Sequence, residues 1–307
     1  MRPIRSLAVY ILMVFVGGAL LAPWLYWLAQ SLAQTFPHLA QNPFHRFVNR
    51  SLLILALAGL WPLLRSLGAT TLRDVGLVKP AGQWKRLGAG FLFGFVSLAL
   101  VAGAALLAGA RTAAEDLHPA NIGPKLLGAA LTAVVVSLLE EILFRGAIFG
   151  ALRRAFDCIT ALTVSSMIYA LVHFLARAEI AGPVTWSSGL ELLPRMLRGF
   201  GNLQEIVPGF FNLTVAGALL ALAYQRTGDL LFSIGLHGGW IFWLKSYGVL
   251  TKETAGTSSW FWGTGKLIDG WLALLVLAAT LATMLRLPML KEQPLSSIAP
   301  CREPSKS

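Results

Sequence analysis

Charge is scarce in this chain of 307 residues: Asp, Glu, Lys and Arg together make up 13%, about half the roughly 25% usual in a soluble domain. So few charges cannot cover a water-facing surface, which excludes an ordinary soluble protein. Acid is scarcer than base, 14 Asp and Glu against 25 Lys and Arg, for a formal charge of +11. Cysteine is almost missing, with only Cys158 and Cys301 present. Both fall on the cytoplasmic side of the topology derived below, so no structural disulfide is expected. The chain shows no internal repeat, low-complexity tract or appended hydrophilic domain. Collagen, disorder, a disulfide scaffold and a soluble nucleic-acid binder are thereby excluded.

Hydrophobic residues account for 56% of the chain, and they gather into runs of the length that crosses a bilayer, about 20 residues. The runs fall at roughly 6–29, 47–67, 87–110, 126–152, 159–176, 206–224, 229–249 and 267–288. They predict an all-α, polytopic membrane protein of about eight transmembrane helices with a buried active-site cavity. The first run is too long for the apolar region of a signal peptide, about 7–15 residues, and reads as a retained span. With the N-terminus inside, fourteen Lys and Arg fall in inner segments and ten in outer ones, which predicts cytoplasmic N- and C-termini. The segment 185–205 mixes Leu190, Leu192, Leu193, Met196 and Leu197 with Glu191, Arg195 and Arg198. It reads as an interfacial amphipathic helix.

Three charges break the apolar pattern of the fourth run: Glu140, Glu141 and Arg145. Each costs about 2.5–3.5 kcal/mol at the centre of a span on insertion scales, so each needs an internal partner or water. Glu141 and Arg145 are four apart and can pair on one helix face. Glu140 is turned about 100° from its neighbour and points elsewhere. One carboxylate neutralised and another left over is a workable arrangement for a general base. Two later runs carry polar stripes: Ser166, Tyr169 and His173 on the fifth, Ser233 and His237 on the seventh. Each set shares one helical face. A buried Glu–Arg clamp and packing histidines are the plainer alternatives.

These residues resemble the motifs of the CPBP family (CAAX proteases and bacteriocin-processing enzymes, also called the ABI family). Its EExxxR motif is met by Glu140, Glu141 and Arg145. Its FxxxH motif is met at His173, with Tyr169 in place of Phe. In its third motif, a His followed four residues later by Asn or Asp, His237 matches and Ile241 stands where the amide would be. The resemblance runs over about 125–250 and divides the chain into N-terminal helices (1–124), a protease-like core (125–250) and a last helix with a cytoplasmic tail (251–307). It implies an intramembrane glutamic-type endopeptidase. Glu140 would activate water, His173 would position it, Glu141 and Arg145 would organise the site, and His237 would stabilise the oxyanion. Trp240, Asn212 and Tyr247 are candidates to replace the amide missing at Ile241.

The implied partners are a membrane-associated protein or peptide substrate and the lipid bilayer, with no nucleic acid, and the implied location is a bacterial plasma membrane. A metal-free reaction is expected. The alternative is a Zn²⁺ held by Glu140, His173 and His237. Two other functions stand beside the protease: a catalytically silent CPBP-like immunity or scaffold protein, and a proton-coupled transporter. Against the transporter, no inverted repeat is visible.

Overall fold

A computed structural model describes residues 2–78, 83–115, 117–180, 182–201 and 203–286. Lys79 and the tail that contains Cys301 lie outside the described residues. Helix dominates, as the apolar composition requires: in lipid, a backbone amide must find its partner within its own segment. The main helices are α1 (Pro3–Ser31), α2 (Phe44–Ser66), α3 (Trp84–Leu107) and α4 (Pro119–Ala155), then α5 (Cys158–Val172), α6 (Ser188–Met196), α7 (Leu203–Thr227), α8 (Leu231–Leu250) and α9 (Trp271–Arg286).

All eight apolar runs are helical, but only five described helices are long and apolar enough to cross a membrane: α1, α2, α3, α4 and residues Ile206–Thr227 of α7. Helix α5 has 15 residues, about 22 Å at 1.5 Å per residue, which is short of a hydrocarbon core of about 30 Å. Helix α9 has 16 described residues. Helix α8 is long enough at 20 residues but carries Ser233, His237, Lys245 and Ser246. The protein is an integral membrane protein with five such helices among the described residues, and the expected count of about eight spans is not confirmed. Cys158 lies at the start of α5, and the expectation of no disulfide, which also concerns Cys301, falls outside the described residues.

The chain forms two compact units, one of Met1–Thr70 with Val172–Asn202 and one of Thr71–Leu171 with Leu203–Ser307. In the first, Gly17 and Gly18 let α1 lie close to Leu52 and Leu55 of α2, and Tyr10 donates to the Ala56 carbonyl at 2.9 Å. Helix α6 lays Leu192 and Met196 into a core with Ala22, Phe44, Phe47 and Val48. Gly189 of α6 sits against the Ala19 carbonyl. This segment is amphipathic, as its sequence predicts: Glu191 and Arg198 stay outside the core.

In the second unit, α3 and α8 interlock. A Cβ on Gly90 or Gly94 would strike the backbone at Phe232 and Leu236, and one on Gly235 or Gly239 would strike Leu87, Phe91 or Phe95. The GxxxG spacing predicts this close approach. At one end of the pair, strands β1 (Arg111–Ala113) and β2 (Thr251–Glu253) join in an antiparallel ladder. Buried Arg111 donates to Thr251 Oγ1 at 2.7 Å and to the Thr251 carbonyl at 3.0 Å. At the other end, Arg86 meets Asp229 at 2.6 Å. Helices α7 and α9 complete the core with Leu219, Leu220, Leu277 and Met284. Asp157 caps α5: its carboxylate accepts the Thr160 hydroxyl and the amides of Ile159 and Thr160. The Thr160 hydroxyl bond, chiefly, holds this exposed carboxyl below the usual range.

Candidate active site

Near its middle, α4 turns from α-helix into a π-helical stretch, Ile142–Phe149, directly after Glu141. Widened turns of this kind are frequent at functional sites. Here the stretch holds Phe144, Arg145 and Gly146, all buried. Gly146 meets Val75 of the short 3-10 turn Leu72–Val75 rather than one of the long helices.

Glu141 and Arg145 are fully buried at 0% and 2% exposure, which leaves their charges dependent on one another. Arg145 donates from Nη1 to Glu141 Oε1 at 3.0 Å and from Nη2 to the Gly217 carbonyl of α7 at 3.2 Å. The predicted pair therefore forms. It also has a third member, because His237 Nδ1 lies 2.9 Å from the same Glu141 Oε1. A carboxylate only accepts, so Nδ1 carries the proton of that bond. Glu141 Oε2 is buried with no hydrogen-bond partner among the described residues.

With Nδ1 held by Glu141, the Nε2 edge of the ring faces Glu140 Oε2 at 3.7 Å and the Tyr169 hydroxyl at 3.3 Å. Tyr169 is itself held by its ring. The edge of Phe144 meets it at 5.0 Å between centroids, and the Arg145 guanidinium lies over its face at 4.5 Å, a favourable cation–π arrangement. Glu140 is the most accessible of the group, its side chain 28% exposed against 5% for His237. Three helices of one unit thus bring Glu140, Glu141, Arg145, Tyr169 and His237 together.

His173 departs from the expected stripe. Helix α5 ends at Val172 and His173 lies in the turn that follows, exposed. The Ala176 amide, which a continuing helix would give to Val172, bonds to the Met196 carbonyl instead. His173 belongs to the first compact unit, and the other four candidate residues to the second. Among the described residues, no three His, Cys, Asp or Glu side chains are grouped so as to hold a metal ion. None of the three donors expected to replace the amide at Ile241 joins the cluster's bonds. Trp240 Nε1 donates to Ser97 Oγ, Asn212 Nδ2 donates to the Ile268 and Gly270 carbonyls, and Tyr247 stacks beneath Arg111.

Sequence reasoning overlooked Gly217. Its carbonyl takes Arg145, and its missing side chain lets α7 approach Ser166 of α5. A glycine inside an apolar helix, where alanine would be more stable, is the only signal it offered. Beside α3, α4 and α8 lies an apolar groove of about 810 Å³, lined in part by Trp84, Phe91, Ser137, Leu138, Gly238 and Phe242. Ser137 and Gly238 stand within one helical turn of Glu141 and next to His237 along the chain.

A family model described as "Type II CAAX prenyl endopeptidase Rce1-like" matches residues 122–243. No curated protein and no solved structure matches the chain. That segment contains Glu140, Glu141, Arg145, Tyr169, His173, His237 and Ile241, the residues on which the resemblance to CAAX proteases rests.

Proposed function

We propose that the protein is an intramembrane endopeptidase that hydrolyses a peptide bond in a membrane-associated protein or peptide, with Glu140 as general base. One observation supports this above all. Glu140 and His237 Nε2 lie 3.7 Å apart beside a buried Glu141–Arg145 pair that orients the histidine. A packing clamp needs one carboxylate and one cation. It does not need a second, more accessible carboxylate on the next residue, aimed at the same imidazole.

In the reaction, Glu140 takes a proton from water as the oxygen attacks the scissile carbonyl carbon. The carbonyl oxygen gains the negative charge, and Glu140 returns the proton to the leaving amine as the C–N bond breaks. Glu141 and Arg145 hold the imidazole in one tautomer, as a carboxylate does for the histidine of a hydrolase triad. The resemblance assigns water positioning to His173. The reaction runs without a metal. The protein lies in a bacterial plasma membrane with both termini cytoplasmic.

The test is cleavage of a panel of membrane-anchored peptides by purified protein in detergent micelles. Glu140→Ala lowers kcat roughly 10²–10⁴-fold, the usual contribution of a general base, and excess EDTA leaves the parent rate unchanged. Absence of cleavage by the parent on every peptide would favour the silent relative, a reading that buried Ile241 keeps in play because it offers no donor. Proton-linked solute flux in liposomes, lost in Glu140→Ala, would favour the transporter.

A further inference from the structure

In the first unit, α1 and α2 run side by side and enclose a pocket of about 450 Å³, within the range of about 300–1,000 Å³ usual for small-ligand sites. The helices touch where Gly59 of α2 receives the Tyr10 ring and the Met13 methyl of α1, and the pocket lies along that contact. Its walls are sorted by polarity. Arg5 and Ser6 of α1 meet Ser66 of α2 at one end, and Val9, Met13 and Ala58 continue the pocket toward the middle of both helices. Arg5 and Ala58 are exposed, as are Val9 at 59% and Met13 at 40%. The pocket is therefore entered from outside the helix pair, and for a membrane-spanning pair the outside is lipid.

The charge of Arg5 finds no answer in its own helices. No Asp or Glu precedes Asp74 in the sequence, so neither α1 nor α2 carries a carboxylate. The acidic residues in the rest of this unit, Glu179 and Glu191, meet His45 at 3.6 Å and the Ser187 hydroxyl at 3.0 Å. His45 stands at the opposite end of α2 from Ser66, about 31 Å away at 1.5 Å per residue. Arg65, beside Ser66 and exposed, stacks on Trp61 and adds a second positive charge near the polar end. A free phosphate would answer the charge and leave the apolar walls uncovered, and a neutral lipid would do the reverse. We propose that the α1–α2 pocket binds an anionic phospholipid. Its phosphate accepts from the Arg5 guanidinium and the Ser6 hydroxyl, and one acyl chain lies against Val9, Met13 and Ala58. In the proposed orientation this end meets the cytoplasmic leaflet, whose anionic lipids attract basic residues close to the membrane. The site is independent of the chemistry at Glu140.

The test is native mass spectrometry of the purified full chain in detergent, titrated with phosphatidylglycerol or with phosphatidylcholine. Expected is saturable binding of phosphatidylglycerol, about tenfold or more tighter than that of phosphatidylcholine and not displaced by inorganic phosphate. Arg5→Gln weakens it by about 10–100-fold, the loss of one charged hydrogen bond. Ala58→Leu, at an exposed position that accepts a larger side chain, fills the apolar end and also weakens it with an unchanged melting profile. Arg50→Gln removes the same charge near the opposite end of α2 and leaves binding as it was. Equal affinity for the two lipids overturns the proposal, as does parental binding by Arg5→Gln. An equal loss in Arg50→Gln reduces the effect to a general surface attraction and overturns it too. Displacement of the lipid by inorganic phosphate would show an anion site without a lipid. A lipid-free dimer that Ala58→Leu dissociates would put a second copy of the chain in the pocket instead.

Discussion

Glu140 and Glu141 are neighbours in the chain and chemically identical, yet the bundle gives them different work. Glu141 is fully buried and accepts from both Arg145 and His237 on one oxygen. Removing one partner of such a pair strands the other charge, which costs about 3–5 kcal/mol. Glu140 is partly accessible and meets His237 at the longer distance of 3.7 Å. Glu141→Ala is therefore expected to lower unfolding stability in detergent by about 3–5 kcal/mol. Glu140→Ala should cost about 1 kcal/mol or less, the range of a partly exposed pair, while lowering kcat roughly 10²–10⁴-fold. Equal losses of stability in the two variants would contradict this division. The candidate residues were legible because an ionised side chain in an apolar run is conspicuous. Which histidine nitrogen meets which carboxylate was not, because that depends on how α8 is rotated against α4.

Among the elements, the α3–α8 pair shows how much a spacing can reveal. Four glycines at four-residue intervals mark faces that can touch, and the two faces do touch, backbone against side-chain-free backbone. Gly94→Ala would press its Cβ on the Leu236 carbonyl. It is expected to cost about 1–3 kcal/mol, as overpacking does. Gly103→Ala, on the same helix with nothing within 4 Å, should be neutral or stabilising through helix propensity. Paired unfolding curves in detergent test both. Other features of the elements left no such mark. The π-helical stretch at Ile142–Phe149 has no sequence signature in an apolar run, and Gly146 finds Val75 of a short 3-10 turn instead of a long helix. His173 leaves its stripe because Met196, distant in sequence, takes the amide that would have continued α5.

For the molecule as a whole, 13% charge and 56% hydrophobic residues are enough to place it in a membrane. Among the described residues, five helices satisfy length and apolarity together. The proposed orientation, with the loop after α2 in the cytoplasm, makes a specific demand. A single cysteine introduced at Arg73, in a chain lacking Cys158 and Cys301, should react with a membrane-impermeant reagent only after cells are permeabilised. Labelling in intact cells would reverse the orientation.

From composition and spacing alone follow the membrane class, the helical fold, the glycine faces and the residues whose charges a bilayer should have excluded. Each rests on transfer free energy or helical periodicity, and both are properties of a segment considered by itself. The tertiary structure alone joined Glu141 to His237, gave Arg145 the Gly217 carbonyl, brought Tyr169 to the imidazole and ended α5 before His173. These depend on the rotation and depth of one helix against another. An apolar run specifies neither, because lipid and a neighbouring helix satisfy its side chains about equally well.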